Sequence, residues 1–331
     1  MPTPRTTRDR LLRHLNDRCF VTGTELGLEL GISRAAVHNH IDTLKASGLP
    51  VEGIMGRGYR LARGVKPMDG RFIEEQLEGE CRRHVSRIII EHCVDSTNDI
   101  VSKLARKELI HGVVCITEAQ PAGRGRRGKH WVATPFRNLL MSLGWMYESW
   151  PPDLTGLSVA AGIALIEAMS GMGIAGLGMK WPNDIVFDGK KLGGILIDIT
   201  GESSGQCTIV IGVGINVHID DNDDPLIDQP WTDLTRVLGR AVDRNELAAS
   251  CLSGLCRLLC EFPGTGFEPY CKRWTEVDVL TGKVVSITTH EKGGTIVGVV
   301  LGLDTTGALA VAVEGGGKQS FFSGDVSVKA R

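Results

Sequence analysis

The stretch that most constrains this chain is Glu118-Ala-Gln-Pro-Ala-Gly-Arg-Gly-Arg-Arg-Gly-Lys-His-Trp131. From Gly123 to Lys129 it packs three glycines, three arginines and one lysine. Glycines let a backbone turn sharply and approach a ligand closely. Arginines supply planar donor forks matched to phosphate and carboxylate oxygens. Together they describe a loop built to close over an anion. Two phosphate-binding patterns overlap on it, G-x-G-x-x-G through Gly123, Gly125 and Gly128, and G-x-x-x-x-G-K through Gly123, Gly128 and Lys129. Both need a helix immediately after the loop, with its N-terminus on the phosphates. Here His130-Trp-Val-Ala-Thr-Pro135 follows, a poor helix start. Neither a dinucleotide fold nor a P-loop is therefore expected. The loop sits between apolar strands, not at a terminus, which argues against a solvated basic tail.

The formal net charge of −2 hides an uneven spread. Residues 1–66 hold eleven Lys/Arg against six Asp/Glu, and the remainder holds 26 against 33. A basic N-terminal segment on an acidic body predicts that a polyanion meets the N-terminus. That segment reads as three short helices. Leu11, Leu12 and Leu15 share a face of the first. Thr22 or Thr24 caps the second, which Gly31 ends. Ser33 caps the third, Arg34 to Ala46, with Val37, Ile41 and Leu44 inward. The second and third make a helix-turn-helix. A strand pair follows, Val51–Ile54 and Tyr59–Leu61, with Arg57 at its turn. A basic hairpin behind a recognition helix is the winged form. Ser33, Arg34, Ala35, His38 and Asn39, with Arg57 from the wing, are the expected DNA-facing positions.

Residues 62–68 carry Gly64 and Pro67 and read as a connector. Beyond it, Arg87–Val94 is a strand ending at Asp95-Ser-Thr-Asn98, whose polar side chains either act at the strand end or cap the next helix, Asp99 to Lys107. Val113–Thr117 delivers the chain into the arginine loop, and Asn138–Trp145 is a third strand. Leu154 to Met169 is a long apolar helix. Ile185–Phe187 and Lys190–Asp198 flank Asp188-Gly189, a strong hairpin signal. Just before it, Asn183 and Asp184 offer oxygens for a magnesium ion or a nucleotide hydroxyl. Lys191 stands beside Gly193 and Gly194. A strand over 208–213 runs into Gly212-Val-Gly-Ile-Asn216, where glycine backbone suits a flat ligand and Asn216 a hydrogen bond to it. Residues 218–232 form an aspartate-rich loop. After a helix over Asp243 to Phe262, short strands with glycine turns predict a small β-barrel from Asp278 onward.

Nine scattered cysteines without a C-x-x-C pair signal neither a disulfide framework nor a zinc site. Cys251, Cys256 and Cys260 are expected as core thiols. No signal peptide opens the chain and no apolar run is expected to span a membrane, so the compartment predicted is the cytoplasm.

These motifs together resemble the bacterial bifunctional biotin protein ligases that also repress the biotin operon. The resemblance runs along nearly the whole chain. It rests on Gly31-Ile-Ser-Arg-Ala-Ala-Val37, Asp95-Ser-Thr-Asn98, the arginine loop with Trp131, Lys180-Trp-Pro-Asn-Asp184, Lys191-Leu-Gly-Gly194, Gly212-Val-Gly-Ile-Asn216 and Gly302-Leu-Asp-Thr-Thr-Gly-Ala308. It implies an α+β chain in three parts. These are a winged helix-turn-helix over residues 1–64, a catalytic domain akin to class II synthetases and lipoate ligases over 65–272, and an SH3-like barrel over 273–331. Ser96, Thr97, Asn98, Gln120, Arg124, Gly125, Arg126 and Lys191 match biotin-contacting positions. Arg126, Arg127, Lys129, Trp131, Asn183, Asp184 and Asn216 match positions near ATP, with Asp184 the candidate for Mg2+. Arg124, Arg126 and Lys191 are the catalytic candidates. The family usually has arginine where Lys129 stands, so the charge is kept and the bidentate fork is lost.

The activity implied is formation of biotinyl-5'-adenylate from biotin and ATP, then transfer to a lysine of the biotin carboxyl carrier protein of acetyl-CoA carboxylase. The adenylate would also act as corepressor for a homodimer on operator DNA. Two alternatives stay open, a metabolite-sensing regulator with an inactive ligase domain and a ligase for lipoate or a similar acid.

Overall fold

The computed structural model describes residues 4–151, 154–201, 205–220, 226–227, 229–289, 294–313, 315–323 and 326–330. The chain opens with α1 (Pro4–His14), α2 (Gly23–Leu30) and α3 (Arg34–Ala46), then the hairpin of β1 (Val51–Ile54) and β2 (Gly58–Leu61). Local chemistry sets these boundaries. Thr22 accepts from the Glu25 amide while Glu25 reaches back to Thr22, a complete capping box. Gly31 ends α2 at φ 69°, a left-handed conformation in which a Cβ is strained. Ser33 accepts from Ala36 N and starts α3. Leu11, Leu26, Val37, Ile41 and Leu44 meet in a small core of their own.

Next come α4 (Gly70–Gln76), α5 (Gly79–His84), β3 (Arg87–Glu91), α6 (Thr97–Ala105), β4 (Val113–Thr117), β5 (Leu139–Tyr147), α7 (Leu157–Gly171), β6 (Leu177–Lys180), β7 (Asp184–Phe187), β8 (Lys190–Gly201) and β9 (Cys207–Ile215). The helices α8 (Leu234–Leu238), α9 (Arg244–Thr265) and α10 (Glu268–Val277) follow. One seven-stranded mixed sheet results, in the order β3-β4-β5-β9-β8-β7-β6. Only β3 and β4 pair in parallel; each later neighbour is antiparallel. The β7–β8 turn has Asp188 at φ 48° and Gly189 at φ 72°, as the Asp-Gly signal requires.

The two faces of the sheet differ. On β9, Ile209, Ile211, Val213 and Ile215 point into the main core beneath α7 and α9. The alternate positions Val210, Gly212 and Gly214 face the α6 side, where Val101, Ile110 and Cys115 pack with Val210. Beyond Val210 that face has no side chains on β9 at Gly212 and Gly214, and Asn98 and Trp131 from other elements lie over the bare backbone there.

The last five strands are β10 (Val284–Thr289), β11 (Thr295–Leu303), β12 (Leu309–Val313), β13 (Gly317–Phe321) and β14 (Val326–Ala330). They form one antiparallel sheet in the order β13-β12-β11-β10-β14. Trp181 is buried and donates its Nε1–H to Gly307 O at 3.1 Å, joining this sheet to the central one.

Several expectations need correction. The helix after Asp95 starts two residues early, at Thr97, because Ser96 is its cap. Helices α5 and α8 are too short to carry a readable amphipathic signal, whereas α10 has Pro269 at its start and Tyr270 and Trp274 buried four apart, a signal the sequence reading passed over. Cys251 and Cys256 are buried, but Cys260 is exposed. The apolar stretch Leu154–Gly171 is long and apolar enough to cross a membrane by length and composition, with a mean hydropathy of 1.5. Two-thirds of it is buried between the sheet and α9, so a core helix explains it here.

Candidate functional site

The arginine loop folds back on itself as a tight hairpin. Gly125 N donates to Lys129 O at 2.7 Å, Lys129 N to Arg126 O at 3.2 Å and Trp131 N to Gly123 O at 2.8 Å. No α-helix follows. A single 3-10 turn, Arg126–Gly128, carries Arg127 at φ 59°. The rejection of both phosphate-loop folds therefore agrees with the geometry.

The hairpin drops Trp131 onto a floor of glycines. A Cβ built on Gly214 would lie 2.7 Å from the indole, and one on Gly194 would lie 3.2 Å from it. Gly194 and Gly214 are cross-strand partners, so the floor is continuous. Gly214→Ala is expected to lift the indole and raise KM for ATP about tenfold, on the order of 1.4 kcal/mol. Steady-state kinetics at saturating acid substrate would check this; an unchanged KM would mean that the floor does not shape the nucleotide site.

Cations converge beside this floor. Lys191 Nζ lies 2.7 Å from Asp184 Oδ1 and 5.4 Å from the centre of the Trp131 ring. Arg126 is half-buried. It donates to neutral oxygens, Asn183 Oδ1 at 3.3 Å and the Ser323 carbonyl of the C-terminal sheet. Burial and the neighbouring Arg127 push the Arg126 guanidinium below its ordinary range, against the opposing pull of Asp184. It stays charged at any physiological pH, so a half-buried cation is left with incomplete compensation where an anion is expected. Two buried polar atoms at the same floor lack a hydrogen bond among the described residues, Trp131 Nε1 and Asn216 Oδ1. Asn216 Nδ2 donates to Thr232 O at 3.1 Å.

The second half of the site lies at the start of α6. Thr97 N donates to Gln120 Oε1 at 2.8 Å. Asn98 Nδ2 donates to Asp198 Oδ2 at 2.9 Å and Leu196 O at 3.2 Å. Ser96, Thr97 and Asn98 are all buried. Gly212 is required there, because a Cβ on it would sit 2.3 Å from Asn98 Oδ1.

The structure thus brings Thr97, Asn98, Gln120, Trp131, Lys191 and Asn216 to the α6 face, with Arg126 held to Asn183. Two members behave differently from expectation. Arg124 is exposed and paired with Asp99 at 2.5 Å, with Asp198 at 3.8 Å, so its side chain is held at the rim. Asp184, expected for a metal, is paired with Lys191. Lys129 is exposed on the hairpin. Ser142 and Asp198 were not among the expected residues. Their positions relative to Thr97 and Asn98 depend on strand register, which carries no local signal.

The aspartate-rich loop read over residues 218–232 lies partly outside the described residues, at 221–225 and 228. Its described end, Pro230–Thr232, is hydrogen-bonded to both backbone groups of Lys191. Among the described residues no group of three or more His, Cys, Asp or Glu is placed to hold a metal.

On the N-terminal module, Arg34, Ala35, His38 and Asn39 are exposed along α3, and Ser33 caps it. The Tyr59 hydroxyl of the wing hydrogen-bonds His38 Nδ1 at 3.3 Å, and Arg57 lies 4.8 Å over the Phe20 ring. Wing and helix present one surface.

Residues 90–216 match the Biotin/lipoate A/B protein ligase family, residues 7–60 an HTH domain, and residues 280–329 the Biotin protein ligase C terminal domain. The Bifunctional ligase/repressor BirA of Salmonella typhimurium is 35% identical over 320 residues, 96% of each chain. This chain belongs to the bifunctional ligase/repressor family. The Bacillus spizizenii BirA is 30% identical over 316 residues, 93% of this ligase/repressor chain and 94% of that one. Among solved structures, a biotin protein ligase from Aquifex aeolicus in complex with biotin and ATP shares the fold at TM-score 0.62 and 24% identity. It covers 74% of this chain and 100% of its own.

Proposed function

We propose that this chain is an ATP-dependent biotin protein ligase that forms biotinyl-5'-adenylate, transfers biotin to a lysine of a biotin carboxyl carrier protein, and represses transcription through its winged helix. The observation that carries the enzymatic half is the convergence of Arg126 and Lys191 on a glycine floor covered by Trp131. Full-length similarity to bifunctional ligase/repressors supports both halves.

The first step joins two anions, a carboxylate and a polyphosphate, and the carboxylate oxygen attacks the α-phosphorus as pyrophosphate leaves. Repulsion between them sets the barrier that the site must lower. In our reading Arg126 and Lys191 neutralise the incoming oxygens and stabilise charge on the transferring group. Trp131 and the glycines hold the flat base, and Trp131 Nε1 and Asn216 Oδ1 supply an unused donor and acceptor to it. Thr97, Asn98 and Gln120 hold the acid. In the second step the carrier lysine attacks the activated carbonyl and AMP leaves. The mixed anhydride must be shielded from water, and closure of the arginine hairpin is our candidate for that.

A magnesium ion fits only in a limited way. Among the described residues Asp184 is the one carboxylate beside Lys191 and the glycine floor, so it alone would hold an ion that arrived with the nucleotide. Its chemistry when bound is neutralisation of the leaving pyrophosphate.

For repression, Arg34, His38 and Asn39 face the groove and Arg57 the backbone. The adenylate-loaded form pairs as a homodimer to read two half-sites. The deciding enzymatic experiment is pyrophosphate exchange into ATP. Exchange that requires biotin is expected; exchange driven by lipoate instead, or none from folded protein, would overturn the reading. Arg34→Ala is expected to weaken operator binding at least tenfold and leave biotin transfer within twofold of wild type. Equal loss of both, measured by gel shift and carrier biotinylation, would contradict two separable activities.

A further inference from the structure

A polar chain, buried at Asn98, Ser142 and Thr97 and partly exposed at its Asp198 end, runs behind the acid-binding residues, and its chemistry gives it a direction. It starts at Asp198. Asn98 faces the Asp198 carboxylate at 2.9 Å and the Leu196 carbonyl at 3.2 Å, and both of these only accept. The amide nitrogen must therefore point to them, and Asn98 Oδ1 must point the other way. It meets Ser142 Oγ at 2.5 Å. An amide oxygen cannot donate, so the Ser142 proton goes to Asn98. Ser142 is fully buried and also lies 2.7 Å from Thr97 Oγ1. With its proton committed, Ser142 can only accept from Thr97. The Thr97 hydroxyl proton is drawn to Ser142 and away from Gln120 Oε1, which is farther at 3.1 Å and already takes the Thr97 amide at 2.8 Å.

The result is a fixed polarity on the pocket side. Thr97 Oγ1 has only lone pairs left to offer. Gln120 has its oxygen engaged, so its amino group is the part left to donate. Room for the chain depends on strand register. Ser142 and Gly212 are cross-strand partners on β5 and β9, and a Cβ on Gly212 would displace Asn98 Oδ1.

We infer that Ser142 and Asp198 are positioning residues that determine specificity, holding Thr97 as an acceptor and Gln120 as a donor toward the head group of the acid. This rests on the biotin reading above and deepens it. A head group offering N–H beside C=O satisfies both. One with an ether-type oxygen in place of that N–H sets lone pair against lone pair, which a hydrogen-bonding site rejects strongly.

The test uses the full chain in biotin-dependent pyrophosphate exchange. KM is measured separately for biotin and ATP, and biotin is compared with a cyclic carbamate analogue in which oxygen replaces a ureido N–H. Ser142→Ala is expected to raise KM for biotin about tenfold, leave KM for ATP within twofold, and cut the preference for biotin over the carbamate at least tenfold. The freed Thr97 hydroxyl then turns to donate. Asp198→Ala, at a partly exposed carboxylate that the core does not need, is expected to move the same two readouts in the same direction by less. If both KM values rise together, or the biotin preference is unchanged in both variants, the inference is overturned and the chain is packing only. If wild type itself fails to use biotin, the biotin reading falls and the inference falls with it. That outcome appears in the wild-type assay and is distinct from a failure confined to the variants.

Discussion

Lys191→Ala is expected to slow biotin-dependent pyrophosphate exchange by about a thousandfold, with little loss of folding. Two effects add. On the mechanism proposed above, the variant removes a cation from the place where the two anionic substrates meet. It also strips Asp184 of its partner at 2.7 Å, in a place where the two side chains are only 18% and 21% exposed. An unbalanced carboxylate then faces the incoming polyphosphate. A unit charge at about 4 Å and an effective dielectric near 20 contributes about 4 kcal/mol, which corresponds to roughly three decades in rate. Lys191→Arg keeps the charge and is expected to recover part of the rate. Single-turnover adenylate formation by rapid quench separates the chemical step from product release. A loss below tenfold would show that the arginine hairpin manages the charge without Lys191.

The largest expected effect on stability lies away from the chemistry. Arg244→Ala is expected to destabilise the fold by about 3–5 kcal/mol. Arg244 Nη1 lies 2.7 Å from Glu118 Oε2, with the side chains 5% and 1% exposed. The same guanidinium donates to the Asn138 and Lys66 carbonyls, and the other Glu118 oxygen accepts from Met68 N at 2.6 Å. Removing the arginine strands a buried carboxylate and two buried carbonyls together. For a unit of this size the drop in Tm is about 10 °C. The pair itself is not the source of the stability, because burying two charges costs about as much as their attraction returns. The double variant Glu118→Leu with Arg244→Met is therefore expected to regain most of the loss, as read by calorimetry. A double variant as unstable as Arg244→Ala would mean that the linker carbonyls, not the stranded charge, dominate.

That cluster marks a limit of sequence reasoning. Residues 62–68 read as a connector because of Gly64 and Pro67. In the fold the connector is bolted down. Arg244 takes the Lys66 carbonyl, Asn245 takes the Pro67 carbonyl at 3.1 Å, and Lys66 Nζ reaches Asp243 at 2.7 Å. All three partners come from the start of α9, 177–178 positions away. Nothing local in residues 62–68 announces them. Phe136 is a similar case. It lies between the arginine loop and the strand read from Asn138, in a stretch with no local signal of its partners, and it is buried in the N-terminal core with Leu11, Leu44 and Leu61. Pro135 meanwhile covers Gly48 so closely that a Cβ there would clash at 2.7 Å.

What the sequence determined by itself is local and dense in information. The glycine end of α2, the Ser33 cap, the Asp-Gly hairpin and the glycine–arginine loop each write their geometry within a few residues, while the choice of Thr22 over Thr24 as the cap of α2 came from the structure. The charge excess of residues 1–66 and the run of cationic forks also needed no fold to be read. The tertiary structure decided everything that depends on which strand lies beside which. It put Gly194 opposite Gly214 to make the floor for Trp131, and Ser142 opposite Gly212 to fix Asn98. It also held Arg124 at the rim through Asp99, and paired Lys191 with Asp184. For the strand pairs the physical reason is that register along a strand has a period of two, so a one-residue slip would send Gly194, Gly214, Ser142 and Gly212 to the opposite face. The choice between the two registers is made by burying Ile209, Ile211, Val213 and Ile215 beneath α7 and α9, an energy that no short stretch of sequence contains.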